Sequence, residues 1–461
     1  MIFSKKGVHV MRRERDLTTG NITTSLWLFA LPLMLGNVMQ QLYNLVDTWV
    51  VGRYIGDTAL AAVGSSYTIL TFLTSVIIGL CLGNSAFLSM AYGRRDLPAM
   101  RNGIFLSCST IGVLSLCLML TFYRFLDPII FFLRVPKETV ADMHTYLFYV
   151  FFGFFATFLY NYFSNVLRGI GNSAIPLLFL AVSVVLNIFL DLYCVIVLHW
   201  GIMGAALATA ASQCVSGIGI TVYFLKKFPQ YRVTRRDMCW NRENLRSILS
   251  LSGCTCLQQS VMNFGILLVQ GIVNSFGTAV MAAFAVAVKI DTIAYMPVQD
   301  FGNAFSVFVA QNYGAQKSAR IASGVRCAFA SVAVFCVIIS SLVWLCAQPL
   351  MQLFVDASSA QVVRIGVQYL QIEGACYIGI GILFLLYGYY RAVNRPQMSV
   401  VLTVCSLGTR VALAYLLSGI AVIGVIGIWV SIPIGWFFAD AVGIGYYFLL
   451  KKRQTHAKRD A

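Results

Sequence analysis

Long runs of apolar residues separated by short polar segments recur along the whole chain. A helix needs about 20 mostly apolar residues to cross a bilayer, and twelve segments meet this requirement. They are residues 24–51, 58–91, 103–123, 143–166, 175–197, 202–225, 247–273, 279–312, 327–347, 367–390, 398–420 and 424–450. The second and eighth are longer than one crossing, so we expect them to tilt or to extend past the bilayer. The pattern predicts an all-α membrane protein with twelve transmembrane helices.

The basic residues are distributed unevenly between the two sides of these spans. Of the 33 Lys and Arg residues, 26 lie in the two tails and in the loops that follow even-numbered spans. The remaining seven are Arg53, Arg124, Arg134, Lys137, Lys289, Arg364 and Arg410. Cytoplasmic loops carry the excess of basic residues, so both termini are predicted to be cytoplasmic. The net charge of +16 follows from this bias, and no nucleic-acid partner is needed to explain it.

The composition excludes a soluble protein and gives no sign of an enzyme. Hydrophobic residues make up 59% of the chain and charged residues only 11%, whereas soluble domains average about 25% charged. The 13 cysteines lie mostly in apolar runs without metal-site spacing, the four histidines are scattered, and no Walker motif is present. The first apolar run is too long for a signal peptide, so no cleavage is expected.

The chain repeats weakly with an offset of about 220 residues. Three motif pairs match in order: the segment from Asp57 with that from Gly277, Tyr92-Gly93 with Tyr313-Gly314, and the segment from Leu167 (LRGIGN) with that from Tyr390 (YRAVN). Six spans in each half give parallel repeats related by an axis along the membrane normal. The predicted organisation is an N-terminal tail (1–23), an N-lobe (24–225), a basic linker (226–246), a C-lobe (247–450) and a basic tail (451–461), with a central cleft between two pseudo-symmetric six-helix lobes.

Four oxygen-bearing side chains are predicted to share one depth in the N-lobe. Asp47 lies near the outer end of the first span, where a charge costs at least about 2.5–3.5 kcal/mol. Asn187 and Asp191 are 12 and 16 residues beyond Ile175 in the fifth span, about 18 and 24 Å along an outward-running helix. Thr209 lies near the outer start of the sixth span. The i, i+4 spacing puts Asn187 and Asp191 on one face.

Two carboxylates in a medium of low dielectric repel each other unless a proton or a cation joins them. No basic residue lies in the first, fifth or sixth span to pair with them, and oxygen ligands suit a hard cation. The pattern predicts a site for Na⁺ or H⁺, with Asp47, Asn187 and Asp191 as candidate Na⁺ ligands. Three alternatives stay open: Asp47 and Asp191 belong to a purely structural intramembrane ion pair, Asn187 makes only an interhelical hydrogen bond, and Thr209 bonds its own helix backbone.

The C-lobe contains intramembrane acids and bases together. These residues are Lys289 and Asp291 in the eighth span, Glu373 in the tenth, Arg410 in the eleventh and Asp440 in the twelfth. Because both signs are present, neutralising pairs are expected, and a structural or gating network is the favoured interpretation. The alternative is a substrate or proton role, for which Glu373 is the best candidate.

Several segments resemble one transporter family over about residues 20–450. They are the run from Leu31 through Pro32 and Tyr43 to Asp47, the segments 57–64 and 167–171, and the segment from Val185 to Asp191. These are similar to multidrug and toxic compound extrusion (MATE) transporters, within them to bacterial DinF/NorM-type exporters. The resemblance implies efflux of organic, often cationic, compounds in exchange for Na⁺ or H⁺, in the bacterial cytoplasmic (inner) membrane.

The resemblance also implies residue roles. It assigns cation or proton coupling to Asp47, Asn187, Asp191 and Thr209, with Tyr43 one turn before Asp47, and bending of the first helix at Pro32 during loading of the site. For Pro32 a static kink is the favoured interpretation, and for Tyr43 a packing role stays equally open. The chain departs from the family in its seventh span, where Gln258 and Gln259 stand and no acid is present. This departure favours coupling through the N-lobe.

We expect no cofactor beyond the coupling ion, and as partners only small organic substrates and the lipid bilayer around a monomer. The substrate cavity is expected between the lobes, lined by Phe, Tyr and Met. The alternative function is a flippase for a lipid-linked precursor, as in related families. Such a protein needs several cationic side chains for phosphates, and only Lys289 and Arg410 are available within the spans.

Overall fold

The computed structural model describes residues 14–132, 136–355, 359–420 and 422–459, which form helices and no strands. The α-helices are α1 (Ile22–Tyr54), α2 (Asp57–Gly93), α3 (Leu97–Arg124), α4 (Leu126–Phe132), α5 (Lys137–Val150), α6 (Phe154–Gly169), α7 (Ala174–Leu192), α8 (Gly201–Lys227), α9 (Arg242–Asn274), α10 (Thr278–Gly314), α11 (Ser318–Gln352), α12 (Ala360–Gly374), α13 (Tyr377–Ala392), α14 (Pro396–Ser418) and α15 (Val425–Arg459). Residues 1–13 of the predicted N-terminal tail and 460–461 of the C-terminal tail lie outside these ranges, as does Arg134.

The predicted all-α membrane fold is confirmed. The described ranges contain eleven spans long and apolar enough to cross a membrane, and a twelfth when α12 and α13, bent by 52° at their junction, count as one. The helices extend beyond the predicted apolar cores because polar residues continue them: α11, for example, begins at Ser318, nine residues before the predicted span. The short helix α4 was not predicted, since seven residues are too few for an apolar pattern to identify.

Two spans are interrupted at corresponding positions of the sequence repeat. A 3₁₀ turn, Phe151–Gly153, joins α5 to α6 in the fourth span. The junction of α12 and α13, at Ala375 and Cys376, interrupts the tenth span. The two interruptions are about 220 residues apart, which is the offset of the sequence motifs. The repeat therefore extends from sequence motifs to the local geometry of the helices.

The chain divides into two compact units. Of the described residues, the first comprises those within 14–19, 28–256 and 310–316, and the second comprises those within 20–27, 257–309 and 317–459. In the first, α2 packs against α5 and α6, and α8 packs against α6 and α7. In the second, α15 packs against α13 and α14, and α11 packs against α12 and α13. The lobe and linker boundaries proposed from the sequence stay predictions.

Glycines bring helix backbones into direct contact in the first unit. A Cβ atom on Gly83 of α2 would lie 2.4 Å from the carbonyl oxygen of Leu251 on α9. The repeated Tyr-Gly motifs show the same feature reciprocally: a Cβ atom on Gly93 would clash with the backbone of Gln311, and one on Gly314 would lie 2.0 Å from the carbonyl oxygen of Met90. Because lipid tails are as apolar as side chains, close van der Waals packing of this kind is the main source of helix association in a membrane.

Residues 14–19, which we call the N-terminal strap, are fixed to several helix ends of the first unit. The N–H of Leu17 donates to Gln311 Oε1 at 3.1 Å, and Gln311 Nε2 donates to the carbonyl of Gly169 at 2.9 Å. The Glu14 carboxylate accepts hydrogen bonds from Gln230 Nε2 at 2.7 Å and from the Tyr231 hydroxyl at 3.1 Å. The strap therefore connects α10, the end of α6 and the segment after α8.

Gly171 tests the packing of this strap. Its φ of +83° strains any residue with a side chain, and a Cβ atom would lie 2.0 Å from the carbonyl oxygen of Arg15. We expect Gly171→Ala to lower the free energy of unfolding by more than the ~1–2 kcal/mol of left-handed strain alone. The measurement is the apparent melting temperature of the purified protein in detergent.

The matched control is Gly201→Ala. Gly201 has φ +57°, and a Cβ atom there would meet nothing within 4 Å. This variant carries the strain without the clash, so it should be destabilised less. Equal losses in the two variants would contradict a tight contact between the strap and Gly171.

Candidate functional site

The first unit places two carboxyl groups next to each other inside the protein. Asp47 lies on α1 and Asp191 on α7, and their side chains are neighbours. Asp47 is 7% exposed and Asp191 is fully buried. Residues 144 positions apart in sequence therefore form one acidic pair.

A short chain of polar groups adjoins this pair. The hydroxyl of Tyr43, one turn before Asp47, lies 3.3 Å from Thr209 Oγ1 on α8. Asn187 Nδ2 on α7 donates to the same Thr209 oxygen at 3.4 Å. Thr209 thus links α1, α7 and α8. The alternative, a hydrogen bond from its hydroxyl to its own helix backbone, is not observed among the described residues. We call Tyr43, Asp47, Asn187, Asp191 and Thr209 the α1–α7–α8 cluster.

Several oxygen atoms of the cluster lack hydrogen-bond donors. Among the described residues, Asp47 Oδ1, Asn187 Oδ1 and both carboxylate oxygens of Asp191 are buried without a hydrogen-bond partner. Leaving a buried acceptor unpaired costs about 1–3 kcal/mol, and more when it is charged. A proton or a hard cation would satisfy these atoms, and a set made only of oxygen atoms fits Na⁺. The donor chemistry is therefore compatible with either ion.

The local structure of α7 explains how two of these side chains point the same way. Asn187 and Asp191 are spaced i, i+4 on a regular helix, so both face the same neighbours. Directly after Asp191 the helix widens into a π-helical segment, Tyr193–Val197. Such segments are rare and frequently occur at functional sites. On α1, the helix is continuous through Pro32, and the bending of this helix stays a prediction.

Sequence reasoning missed Tyr146. This residue lies on α5, is 4% exposed, and neighbours Asp47, Tyr43 and Asp191. It adds a hydroxyl to the boundary of the acidic pair. The only available signal was a tyrosine within an apolar helix, and the chain has 22 tyrosines, so the sequence alone did not distinguish it.

The second unit contains a separate charge cluster. Asp291 on α10 and Glu373 at the end of α12 are neighbours, and both are at least 95% buried. Arg410 on α14 lies close enough to influence both carboxyl groups. Nevertheless, no ion pair within 4 Å joins them in the described ranges, and Arg410 Nε, Asp291 Oδ1 and Glu373 Oε1 are buried without hydrogen-bond partners. The expected acid–base proximity is present, without a closed salt bridge.

Two residues assigned to this network lie elsewhere. Lys289 is exposed, because residues two apart on a helix point about 200° apart and Asp291 faces inward. Asp440 is 4% exposed, with both oxygens unpartnered among the described residues. It neighbours Tyr387 and, among the described residues, shows no electrostatic contact with Asp291, Glu373 or Arg410. Neither residue therefore joins Asp291, Glu373 and Arg410.

Comparison with known proteins places this architecture in one family. The MatE family model matches twice, over residues 32–193 and 255–416. The "Probable multidrug resistance protein YpnP" of Bacillus subtilis (strain 168) is 30% identical over 94% of this chain and 96% of its own. The "Probable multidrug resistance protein NorM" of Thermotoga maritima is 24% identical over 93% of this chain and 92% of its own.

The fold has a close counterpart among solved structures. A structure described as the outward-facing conformation of a multidrug resistance MATE family transporter of the MOP superfamily superposes with a TM-score of 0.88. It shares 24% sequence identity and covers 96% of this chain and 98% of its own. The double match of the family model, one copy in each half, agrees with the internal repeat, and the chain belongs to the MATE family of multidrug efflux transporters, as a multi-pass membrane protein.

Proposed function

We propose that this protein is a secondary antiporter that exports organic, often cationic, compounds in exchange for Na⁺ or H⁺ by alternating access. The observation that carries the proposal is the α1–α7–α8 cluster, in which two buried carboxyl groups meet and no described residue gives them a basic partner. A buried charge without a partner is costly, so the cluster has a strong preference for a bound proton or cation. Such a preference is what coupling to an ion gradient requires.

The residues of the cluster have separable roles in this proposal. Asp47 and Asp191 would hold the proton, or together with Asn187 would hold Na⁺, because their free oxygens lie beside one another. Thr209 positions Tyr43 and Asn187 through its two contacts. Ion binding at Asn187 and Asp191 on α7 is thereby connected to the position of α1. A cation or proton between the carboxyl groups removes their repulsion. Loading and unloading would therefore alter the packing of α1 against α7 and α8.

The membrane orientation belongs to the same proposal. We place the protein in the bacterial inner membrane, and the distribution of Lys and Arg residues supports an orientation with both termini in the cytoplasm. On this orientation Asp47, Asn187 and Asp191 lie in the outer half of the bilayer. The partners are small organic substrates and lipid, and we propose that the protein acts as a monomer.

The flippase alternative has less support. A phosphate-bearing lipid precursor requires several basic side chains around its headgroup. Within the spans, Arg410 lies beside the acids Asp291 and Glu373, and Lys289 lies on another face of α10. The described residues therefore offer no basic cluster within the spans.

The direct test of coupling is Asp47→Asn in proteoliposomes with an imposed Na⁺ or H⁺ gradient. The amide keeps the shape of the side chain and removes its charge and its titration. We expect gradient-driven efflux of a cationic dye to fall at least tenfold, on the order of the loss seen when ion-site residues are changed. Imposing each gradient separately identifies the coupling ion.

The matched control is Asp127→Asn, the same chemical change at a side chain that is 86% exposed on α4. It should transport as the unmodified protein does. Normal coupled transport by Asp47→Asn would refute the proposed role of the cluster.

Thr209 provides a test of positioning. Thr209→Val removes the hydroxyl that contacts Tyr43 and Asn187 but keeps the branched shape. We expect the ion concentration at half-maximal transport to rise roughly tenfold, consistent with the loss of buried hydrogen bonds. Thr209→Ser retains the hydroxyl and should restore most of the affinity. If valine and serine behave alike, the hydroxyl does not position the cluster.

Glu373 distinguishes a structural network from a coupling site in the second unit. We propose that Asp291, Glu373 and Arg410 stabilise the bend between α12 and α13. Glu373→Gln should then lower the apparent melting temperature while the number of ions exchanged per substrate stays unchanged. A changed stoichiometry, measured by the reversal potential of transport in proteoliposomes, would instead assign Glu373 to the coupling path.

A further inference from the structure

The segment that joins α8 to α9 has a defined structure anchored to α3. We call residues 228–241 the linker loop. Asn102 on α3 is 5% exposed, and its Nδ2 donates to the carbonyls of Asp237 at 2.9 Å and Cys239 at 2.7 Å. Its Oδ1 accepts a hydrogen bond from Asn244 Nδ2 of α9 at 2.9 Å. One buried amide therefore fixes both the loop and the first turn of the next helix.

The outer turn of this loop presents two arginines. The N–H and Oγ1 of Thr234 donate to Asp237 Oδ2 at 2.8 and 2.6 Å, closing a turn around Arg235 and Arg236. These hydrogen bonds hold the pKa of Asp237 below its usual range, and the bond from the Thr234 side chain has the largest effect. The Asp237 carboxylate is therefore bonded within the turn to Thr234, and the side chains of both arginines are exposed.

Charge and apolar surface occur together on this loop. Residues 226–246 contain seven Lys or Arg and only two acidic residues. Beside the arginines, Met238 is 52% exposed and Trp240 is 62% exposed. The Trp240 ring packs edge-on against Phe105 of α3, with centroids 6.0 Å apart. The indole is thus held next to a membrane-spanning helix while most of its surface stays free.

We propose that the linker loop is a binding surface for anionic phospholipid headgroups. Exposed guanidinium groups at a membrane surface attract phosphate, and Trp at this level inserts its ring among headgroups. A soluble anion would not account for the exposed Met238 and Trp240 beside the charges. Both ends of the loop lead directly into spanning helices, so the surface lies where headgroups are. This inference is independent of the transported substrate.

The test uses the full chain in nanodiscs of phosphatidylcholine with increasing phosphatidylglycerol. Hydrogen–deuterium exchange of the amides in residues 232–240 is the readout. We expect exchange to slow as the anionic lipid increases. In the double variant Arg235→Gln with Arg236→Gln, the apparent affinity for the anionic lipid should fall roughly 30-fold, which is a little over fivefold for each arginine. Exchange in this variant should therefore no longer depend on phosphatidylglycerol over the range of contents used for the unmodified protein.

The control is Arg124→Gln with Lys137→Gln, which removes equal charge at the C-terminal end of α3 and at the start of α5. It should retain the lipid-dependent protection of residues 232–240. The double Arg235, Arg236 variant should keep the apparent melting temperature of the unmodified protein, because neither side chain is buried. Protection that does not depend on phosphatidylglycerol overturns the proposal. Equal protection by inorganic phosphate in pure phosphatidylcholine also overturns it, since the surface would then bind a free anion.

Discussion

Two carboxyl groups held side by side, with no basic partner among the described residues, are the constraint around which the first unit is organised. Asp47 and Asp191 are almost fully buried, in a protein whose surroundings are hydrocarbon. Such a pair is tolerated only when a proton or a cation joins it. Thr209, Asn187 and Tyr43 surround the pair with oxygen atoms rather than with positive charge. The proposed exchange of a positive ion therefore rests on the packing of α1, α7 and α8.

Much of this cluster was predictable because helical geometry in a bilayer is regular. The rise of 1.5 Å per residue and alternating span directions place Asp47, Asn187 and Thr209 at one depth from residue numbers alone. Apolar run length likewise identifies spans. Depth, however, does not determine which face of a helix meets which neighbour. Lys289 shows this, because it shares a depth with Asp291 but points to another side of α10, and sequence reasoning had grouped the two.

Other features depend on contacts that no local pattern encodes. Tyr146 joins the acidic pair through the packing of α5, and the interruption at Phe151–Gly153 has no proline to indicate it. Asp440 was grouped with the other C-lobe charges because all are intramembrane, although its side chain neighbours Tyr387 instead. The Tyr92-Gly93 and Tyr313-Gly314 motifs were recognised only as a repeat. The structure shows that each glycine admits the backbone of the other helix, which requires a residue without a side chain at both positions.

Irregular helix geometry accompanies buried acids in both units. In the first unit, the π-helical segment Tyr193–Val197 begins two residues after Asp191. In the second, Glu373 lies immediately before the 52° bend between α12 and α13. A regular helix pairs all its backbone groups internally, so a local change of geometry leaves carbonyls and amides available to other partners. Asp191 and Glu373 thus lie beside the points where α7 and α12 depart from regular helical geometry.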